Sequence, residues 1–283
     1  MIENLEKIKS AIYLSRMPGV GAARFASLMK KFTCPIKALE FYRKNLPELL
    51  TLQSREKEDT SGQIAKTLEM IEKEEIFCQY FSSEGYPEPL ADLTEPPPVL
   101  FSSRPLQAAQ RFAAVVGARN CDANMKSVVE RVVAQLAEKG YTIVSGGAKG
   151  IDSLAHRAAL HLSLPTVAVF GTGLDKFYPA ENRELFENMV EGGGNLLTEF
   201  LCGTDPRRGF FPTRNRIIAG LSEVVVVIQA ARKSGSLITA RWAMKLNRKL
   251  YVKKPVDYGL DSWAGNRLLE ELGAKKFVNR LRI

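Results

Sequence analysis

The sequence predicts a doubly wound α/β fold with a mostly parallel sheet, preceded by a small all-helical segment. Three observations carry this prediction. Beyond about residue 105, short β-branched runs alternate with stretches long enough for crossover helices. One of those runs, Val224-Val225-Val226-Val227-Ile228, is apolar throughout, as a strand covered on both faces must be. Residues 4–80, in contrast, place apolar side chains at three and four spacing, the helical period.

Taken in order, Leu5, Ile8 and Ile12 mark a first helix, and Phe25, Leu28, Met29 and Phe32 a second. Between them, Pro18 stops the first helix and Gly19 and Gly21 permit a tight turn. Such a turn either presents backbone N–H groups to a phosphate, as a helix-hairpin-helix element does, or simply connects two helices. A proline-rich stretch from Tyr86 to Pro98 reads as a semi-rigid linker or an edge strand. The expected organisation is a helical domain over 1–85, a connecting segment over 86–105 and an α/β domain over 106–283. Within the last, strands are expected at Ala113–Val116, Thr142–Val144, Thr166–Phe170, Leu196–Thr198, Val224–Ile228 and Leu250–Val252.

The 283 residues are 45% hydrophobic and 25% charged, and mean hydropathy is near zero, as expected of a soluble globular chain. No apolar run reaches membrane-spanning length and the N-terminus lacks a signal-peptide pattern, so no membrane association and a cytoplasmic location are expected. The cysteines Cys34, Cys78, Cys121 and Cys202 stand singly and read as small buried hydrophobes rather than metal ligands. Net charge is +9, and residues 1–110 are nearly balanced, so the excess of Lys and Arg belongs to 111–283. A basic surface there suits either an anionic partner or plain solubility.

In an open parallel sheet, ligands bind beyond the carboxyl ends of the strands. Here those ends carry Gly117-Ala118-Arg119, then Ser145-Gly146-Gly147-Ala148-Lys149-Gly150, then Gly171-Thr172-Gly173, and later Lys233-Ser234-Gly235-Ser236. Glycines let a ligand approach the backbone, helix starts supply partial positive charge, and Arg119 and Lys149 add whole charges. The result is an anion-binding rim. No GxGxxG follows the first strand, no Gly-Lys dipeptide exists for a phosphate-binding P-loop, and no GxSxG elbow is present. His156 lies four residues after Asp152, which suits a structural helix pair better than a catalytic base. No cofactor, metal or catalytic constellation is expected. The stretch Phe210-Phe211-Pro212-Thr213-Arg214-Asn215-Arg216 sets aromatics beside cations, as a single strand with unstacked bases would require. Core packing of the two phenylalanines, with Arg214 paired to Glu199 to stabilise the sheet end, is the competing reading.

The runs Ser145–Asp152 with Ala155-His156, Gly171–Asp175 with Tyr178-Pro179, Phe211–Ile217 and Ser234–Ala240 resemble the DprA/Smf family, in that family's order. The resemblance covers residues 110–275 well, and the N-terminal helices resemble the family's SAM-like domain more loosely. It implies an extended Rossmann-like fold and no enzymatic activity. It further implies cooperative, sequence-independent single-stranded DNA binding as a homodimer, and loading of the RecA recombinase in natural transformation. By position, Arg119, Lys149 and Arg214 match residues that line the DNA pocket, with Ser145, Gly146 and Gly150 as close backbone contacts. Gly171, Gly173, Phe211, Asn215, Arg216, Ser234 and Gly235 complete the expected DNA-binding set.

There are departures. Gln229 stands where the family usually has Glu, Gly147 where it usually has Leu, and Lys253-Lys254-Pro255 replaces a usual Pro-Gly. A winged-helix extension common in the family is not expected in a chain ending at Ile283. A rival reading, a nucleotide phosphoribohydrolase, needs a PGGxGTxxE signature. The runs Glu191–Asn195 and Ser234–Thr239 lack its glutamate. Helix faces near Leu237–Leu246 and Leu268–Leu269 suit self-association and core packing equally.

Overall fold

The computed structural model describes residues 2–45, 57–106 and 110–283. These fall into two compact units. One holds the described residues up to 106 together with 172–176 and 198–205, and the other holds 110–171, 177–197 and 206–283.

The first unit opens with helices α1 (Ile2–Ser15), α2 (Ala22–Phe32), α3 (Pro35–Asn45) and α4 (Lys57–Glu72). Their apolar stripes meet in a small core that buries Ile12, Leu14, Phe25, Met29 and Ala38. The α1–α2 turn lies where Pro18 and the two glycines predict it. Gly19 takes a φ of +70°, open to glycine at little cost, and the Tyr42 hydroxyl donates to the Pro18 carbonyl to hold the turn against α3.

The expectation of helix throughout 4–80 fails at its end. Phe77–Tyr80 forms strand β1, paired antiparallel with β2 (Val99–Ser102) in the register Phe77↔Ser102. Phe77-Cys78-Gln79-Tyr80 holds no β-branched residue to mark it as a strand, and the partner strand lies beyond the proline-rich stretch. Pairing at that separation leaves no local signal. A one-turn helix, α5 (Glu88–Ala91), sits within that stretch, and the Phe81 N–H donates to the Pro98 carbonyl (2.9 Å) just ahead of β2.

The second unit carries β3 (Phe112–Val116), α6 (Met125–Ala137), β4 (Thr142–Ser145), α7 (Ile151–His161) and β5 (Thr166–Val169). After them come α8 (Arg183–Glu191), β6 (Asn195–Thr198), α9 (Phe210–Leu221), β7 (Ser222–Val227) and α10 (Ser236–Lys245). The chain closes with β8 (Lys249–Lys253), α11 (Ala264–Glu271) and β9 (Lys275–Phe277). All six expected strands of this sheet are present within a residue or two. The seventh, β9, has no strand pattern to read, because two of its three residues are lysines. The strands run parallel in the order β6-β5-β4-β3-β7-β8-β9.

Residues 222–228 show why the central strands read as continuous apolar runs. Val224, Val226 and Ile228 join a core with Val129, Val132, Val133 and Leu136 of α6 and Ala155 and Ala159 of α7. Alternation turns Val225 and Val227 to the opposite face, where α9 and α10 cover them, and all five are fully buried. This is the doubly wound, Rossmann-like arrangement. Among the described residues no helix is long and apolar enough to cross a membrane. Of the cysteines only Cys202 is buried; the other three are half-buried.

Candidate functional site

The strand order reverses between β3 and β7, the position where open α/β sheets usually hold a ligand. Here that crevice is shut. The Ala118 N–H donates to the Gln229 carbonyl (2.7 Å), and a Cβ on Gly117 would lie 2.6 Å from Ile151. Gln229 reinforces the closure: its amide donates to Asp122 Oδ2 (2.8 Å) while its oxygen accepts from the Asp122 N–H (2.9 Å). A glutamate at 229 would set a second carboxylate against Asp122. The opening therefore moves over to the ends of β4 and β5.

There a pocket of about 360 Å³, counting its mouth, is lined by Arg119, Gly146, Ala148, Lys149, Tyr178, Pro179, Phe211 and Arg214. Five of these are expected site residues drawn from three separate stretches of chain. Its floor is the Gly146 peptide, fixed from both sides. The Gly146 N–H donates to Asp152 Oδ2 (3.1 Å) and its carbonyl accepts from Arg214 Nη1 (2.6 Å), which also donates to the Val169 carbonyl.

Arg214 is only 4% exposed. Burial lowers its guanidinium pKa to about 10, so it stays cationic at neutral pH, while burial raises that of Asp152 against the opposing pull of Arg214. A Cβ on Gly146 would meet the guanidinium at 2.5 Å, so glycine is what allows this approach. Gly150, which opens α7, has φ +76°, and a Cβ there would lie 2.3 Å from the Ala118 carbonyl. Gly147 has the same kind of cause: φ is +65°, and a Cβ would meet the Phe186 ring at 2.7 Å.

The walls are a cation and an aromatic pair. Phe211 and Tyr178 rings lie 5.3 Å apart, tilted by 37°, and the exposed Arg119 guanidinium stands 5.7 Å from the Phe211 ring. Neither Phe210 nor Phe211 belongs to the core; both are half-buried, and Tyr178 is 41% exposed. The rings thus keep faces or edges open to a ligand. Lys149 Nζ reaches Glu181 Oε1 (2.6 Å) with both side chains largely in solvent. Such a pair is weakly held, so a phosphate oxygen can replace the carboxylate.

The other expected residues are placed around this pocket or away from it. Ser145 is fully buried and its hydroxyl donates to the Val115 carbonyl (2.7 Å), tying β4 to β3. Gly171 lies beneath Phe211, where a Cβ would sit 3.0 Å from the ring. Asn215 is buried and donates to the Gly235 carbonyl (3.1 Å), which anchors the start of α10. Arg216 is buried, with Nη1 on the Thr213 carbonyl (3.1 Å). Ser234 and Gly235 form the α10 turn, where the Ser234 and Ser236 hydroxyls bond each other (2.8 Å). Gly173 belongs to the first unit, where its N–H donates to the Thr204 carbonyl (3.0 Å).

Tyr178, Asp152 and Glu181 join the site without having been expected there; an exposed aromatic following a glycine turn is the signal available for Tyr178. The supposed Asp152–His156 pair is replaced by two separate contacts. His156 Nδ1 bonds Thr166 Oγ1 (2.8 Å) in a fully buried position that lowers its pKa to about 3. Among the described residues no three His, Cys, Asp or Glu side chains gather as a metal would need.

The sequence profile of the family described as DNA recombination-mediator protein A matches residues 78–282. The chain belongs to this family. Protein Smf of Synechocystis sp. is 43% identical over 171 residues, 59% of this chain and 43% of its own. DNA processing protein DprA of Bacillus subtilis is 41% identical over 172 residues, 60% of this chain and 58% of its own. The chain spans about half the length of the curated relatives it matches.

Among solved DprA structures, that of the Streptococcus pneumoniae DNA processing protein A superposes with a TM-score of 0.77 at 29% identity. It covers 96% of this chain and 95% of the other. A second, solved for the single-stranded DNA binding mode of the Helicobacter pylori protein, gives 0.61 at 32% identity and covers 70% and 90%. The profile match spans every strand of the parallel sheet and the whole pocket, so the DprA/Smf resemblance read from the rim motifs is the family of this chain.

Proposed function

We propose that this chain binds single-stranded DNA without sequence preference at the Arg119–Lys149–Phe211 pocket, and that it acts as a recombination mediator. The observation that carries the reading is the pairing of open aromatic rings, Phe211 and Tyr178, with two solvent-facing cations over a floor of fixed backbone. Unpaired bases stack on rings while phosphates meet cations. Duplex DNA has no free base faces to offer the rings. Arg119 and Lys149 serve as the phosphate contacts, and Arg214 serves by holding the Gly146 peptide.

Membership in the family supports the finer parts of the reading: action as a homodimer, hand-over of incoming strands to the RecA recombinase in natural transformation, a cytoplasmic location, and no chemical turnover. The similarity to the Helicobacter pylori protein, whose structure is described by its single-stranded DNA binding mode, points the same way.

The test is fluorescence anisotropy of labelled oligo-dT, titrated with salt and competed with duplex DNA and mononucleotides. Preference for the single strand, and a salt slope of about −0.7 per phosphate met, is the expected result. Lys149→Ala should weaken binding to all sequences alike and leave the melting temperature unchanged, because phosphate contacts carry no sequence information. Absence of binding at low salt, or displacement by a mononucleotide at modest concentration, would instead favour an enzyme acting on nucleotides.

A further inference from the structure

The excess positive charge of the second unit is not spent at the pocket. Beside the edge strand β9 lies an open groove of about 1120 Å³, whose lining includes Lys275, Lys276, Arg280, Arg282 and Tyr251. It continues past Arg280 and Arg282 into a second hollow of about 760 Å³ that also holds Lys139. Among the side chains that line these two hollows the only acidic one is Glu138. None of the four cations of the first hollow forms a salt bridge with a described residue.

The groove has a fixed shape. Gln135 of α6 donates to the Asn279 carbonyl (3.1 Å) and accepts from the Leu281 N–H (2.8 Å), and the Tyr251 hydroxyl donates to the Arg282 carbonyl (2.5 Å). These bonds clamp residues 279–282 beside the sheet edge. At the end of the neighbouring strand, Lys253 is 7% exposed, and its ammonium donates to the Lys254 carbonyl (3.3 Å) rather than to any carboxylate. Burial, then Arg131, then Lys254 lower its pKa, as expected where positive charge gathers without a balancing carboxylate.

We propose that this groove is a second polyanion site, and that its ligand is the phosphate backbone of duplex DNA. The choice of duplex follows from a contrast with the pocket. There, rings stand open for unpaired bases. In the groove, Tyr251 is 3% exposed and lies under Lys275, whose Nζ is 5.9 Å from its centre, so its ring is closed to a base. Cations without exposed rings reward phosphates alone, and a duplex presents those at the highest density. This goes beyond single-strand binding and stands or falls separately from it.

The test uses the full chain and two labelled probes, a short duplex and oligo-dT, each titrated with salt. The variant Lys275→Ala/Lys276→Ala/Arg280→Ala/Arg282→Ala should bind duplex at least about tenfold more weakly at low salt. Its salt slope should flatten by about 0.9 for each phosphate no longer met, while oligo-dT binding stays at the wild-type value. Arg119→Ala/Lys149→Ala should show the reverse pattern. All four groove side chains are exposed, so the fold should survive; the smaller charge reversal Lys276→Glu/Arg280→Glu provides the same test should the quadruple variant be insoluble. Unchanged duplex affinity in either groove variant would overturn the proposal. So would loss of duplex binding in the pocket variant, or failure of the wild-type protein to bind duplex at low salt.

Discussion

Arg214→Ala separates two ways in which one arginine can serve a binding site. The guanidinium gives hydrogen bonds to two buried carbonyls, Gly146 and Val169, and offsets the buried carboxylate of Asp152. A hydrogen bond from a charged group contributes about 1.5–3 kcal/mol, so removing two comes to about 3–6 kcal/mol, which spans the roughly 3–5 kcal/mol found when one partner of a buried charge pair is deleted. With an unfolding slope of about 3 kcal/mol per molar urea, the midpoint should fall by roughly 1–2 M. Circular dichroism against urea measures this.

In the folded fraction, oligo-dT binding should weaken because the Gly146 floor is loosened, yet the salt slope should not change, since Arg119 and Lys149 still meet their phosphates. Arg119→Ala should do the opposite, keeping the urea midpoint and flattening the slope by about 0.7. A wild-type midpoint for Arg214→Ala, together with a flattened slope, would refute the positioning role and make Arg214 a direct phosphate ligand.

Three further outcomes are expected. Gly150→Ala forces a side chain into a backbone region open to glycine alone and against the Ala118 carbonyl; a loss of about 2–4 kcal/mol in urea unfolding should result. Phe211→Ala should cost about 1–3 kcal/mol in oligo-dT affinity by anisotropy, with the melting temperature nearly intact because the ring is half-buried; a large drop in melting temperature with affinity retained would make it a core residue after all. His156 is held neutral in the folded state, with a pKa of about 3 against about 6.5 unfolded. Its contribution is therefore complete above pH 6.5 and declines as the pH falls toward 3, by about 2–3 kcal/mol between pH 6.5 and 4.5. Asp152, whose pKa is raised, acts in the opposite sense at acid pH, so the comparison is between wild type and His156→Leu, whose stability should vary less over that window.

The sequence alone determined what is written in short-range pattern. Runs such as Val224–Ile228 are apolar on both faces because helices cover both, and this announces a buried parallel strand without any knowledge of its neighbours. The glycines at 146 and 150, with Arg119 and Lys149 beside them, announce an anion-binding rim because close backbone approach and charge are properties of residue type. Tertiary structure alone decided everything that depends on partners far along the chain. Arg214 reads as a phosphate ligand or as a partner of Glu199 until the Gly146 carbonyl, 68 residues away, and the Val169 carbonyl are seen to take its hydrogen bonds. Phe211 could be core or surface until Tyr178 is placed against it. β1 (Phe77-Cys78-Gln79-Tyr80) and β9 (Lys275-Lys276-Phe277) hold no β-branched residue, so only pairing with a neighbouring strand makes each of them a strand. The groove of lysines and arginines beside β9 exists because Gln135 clamps a tail more than 140 residues downstream. Local periodicity and side-chain chemistry are encoded residue by residue, whereas burial and charge neighbourhood come into being only when distant segments pack.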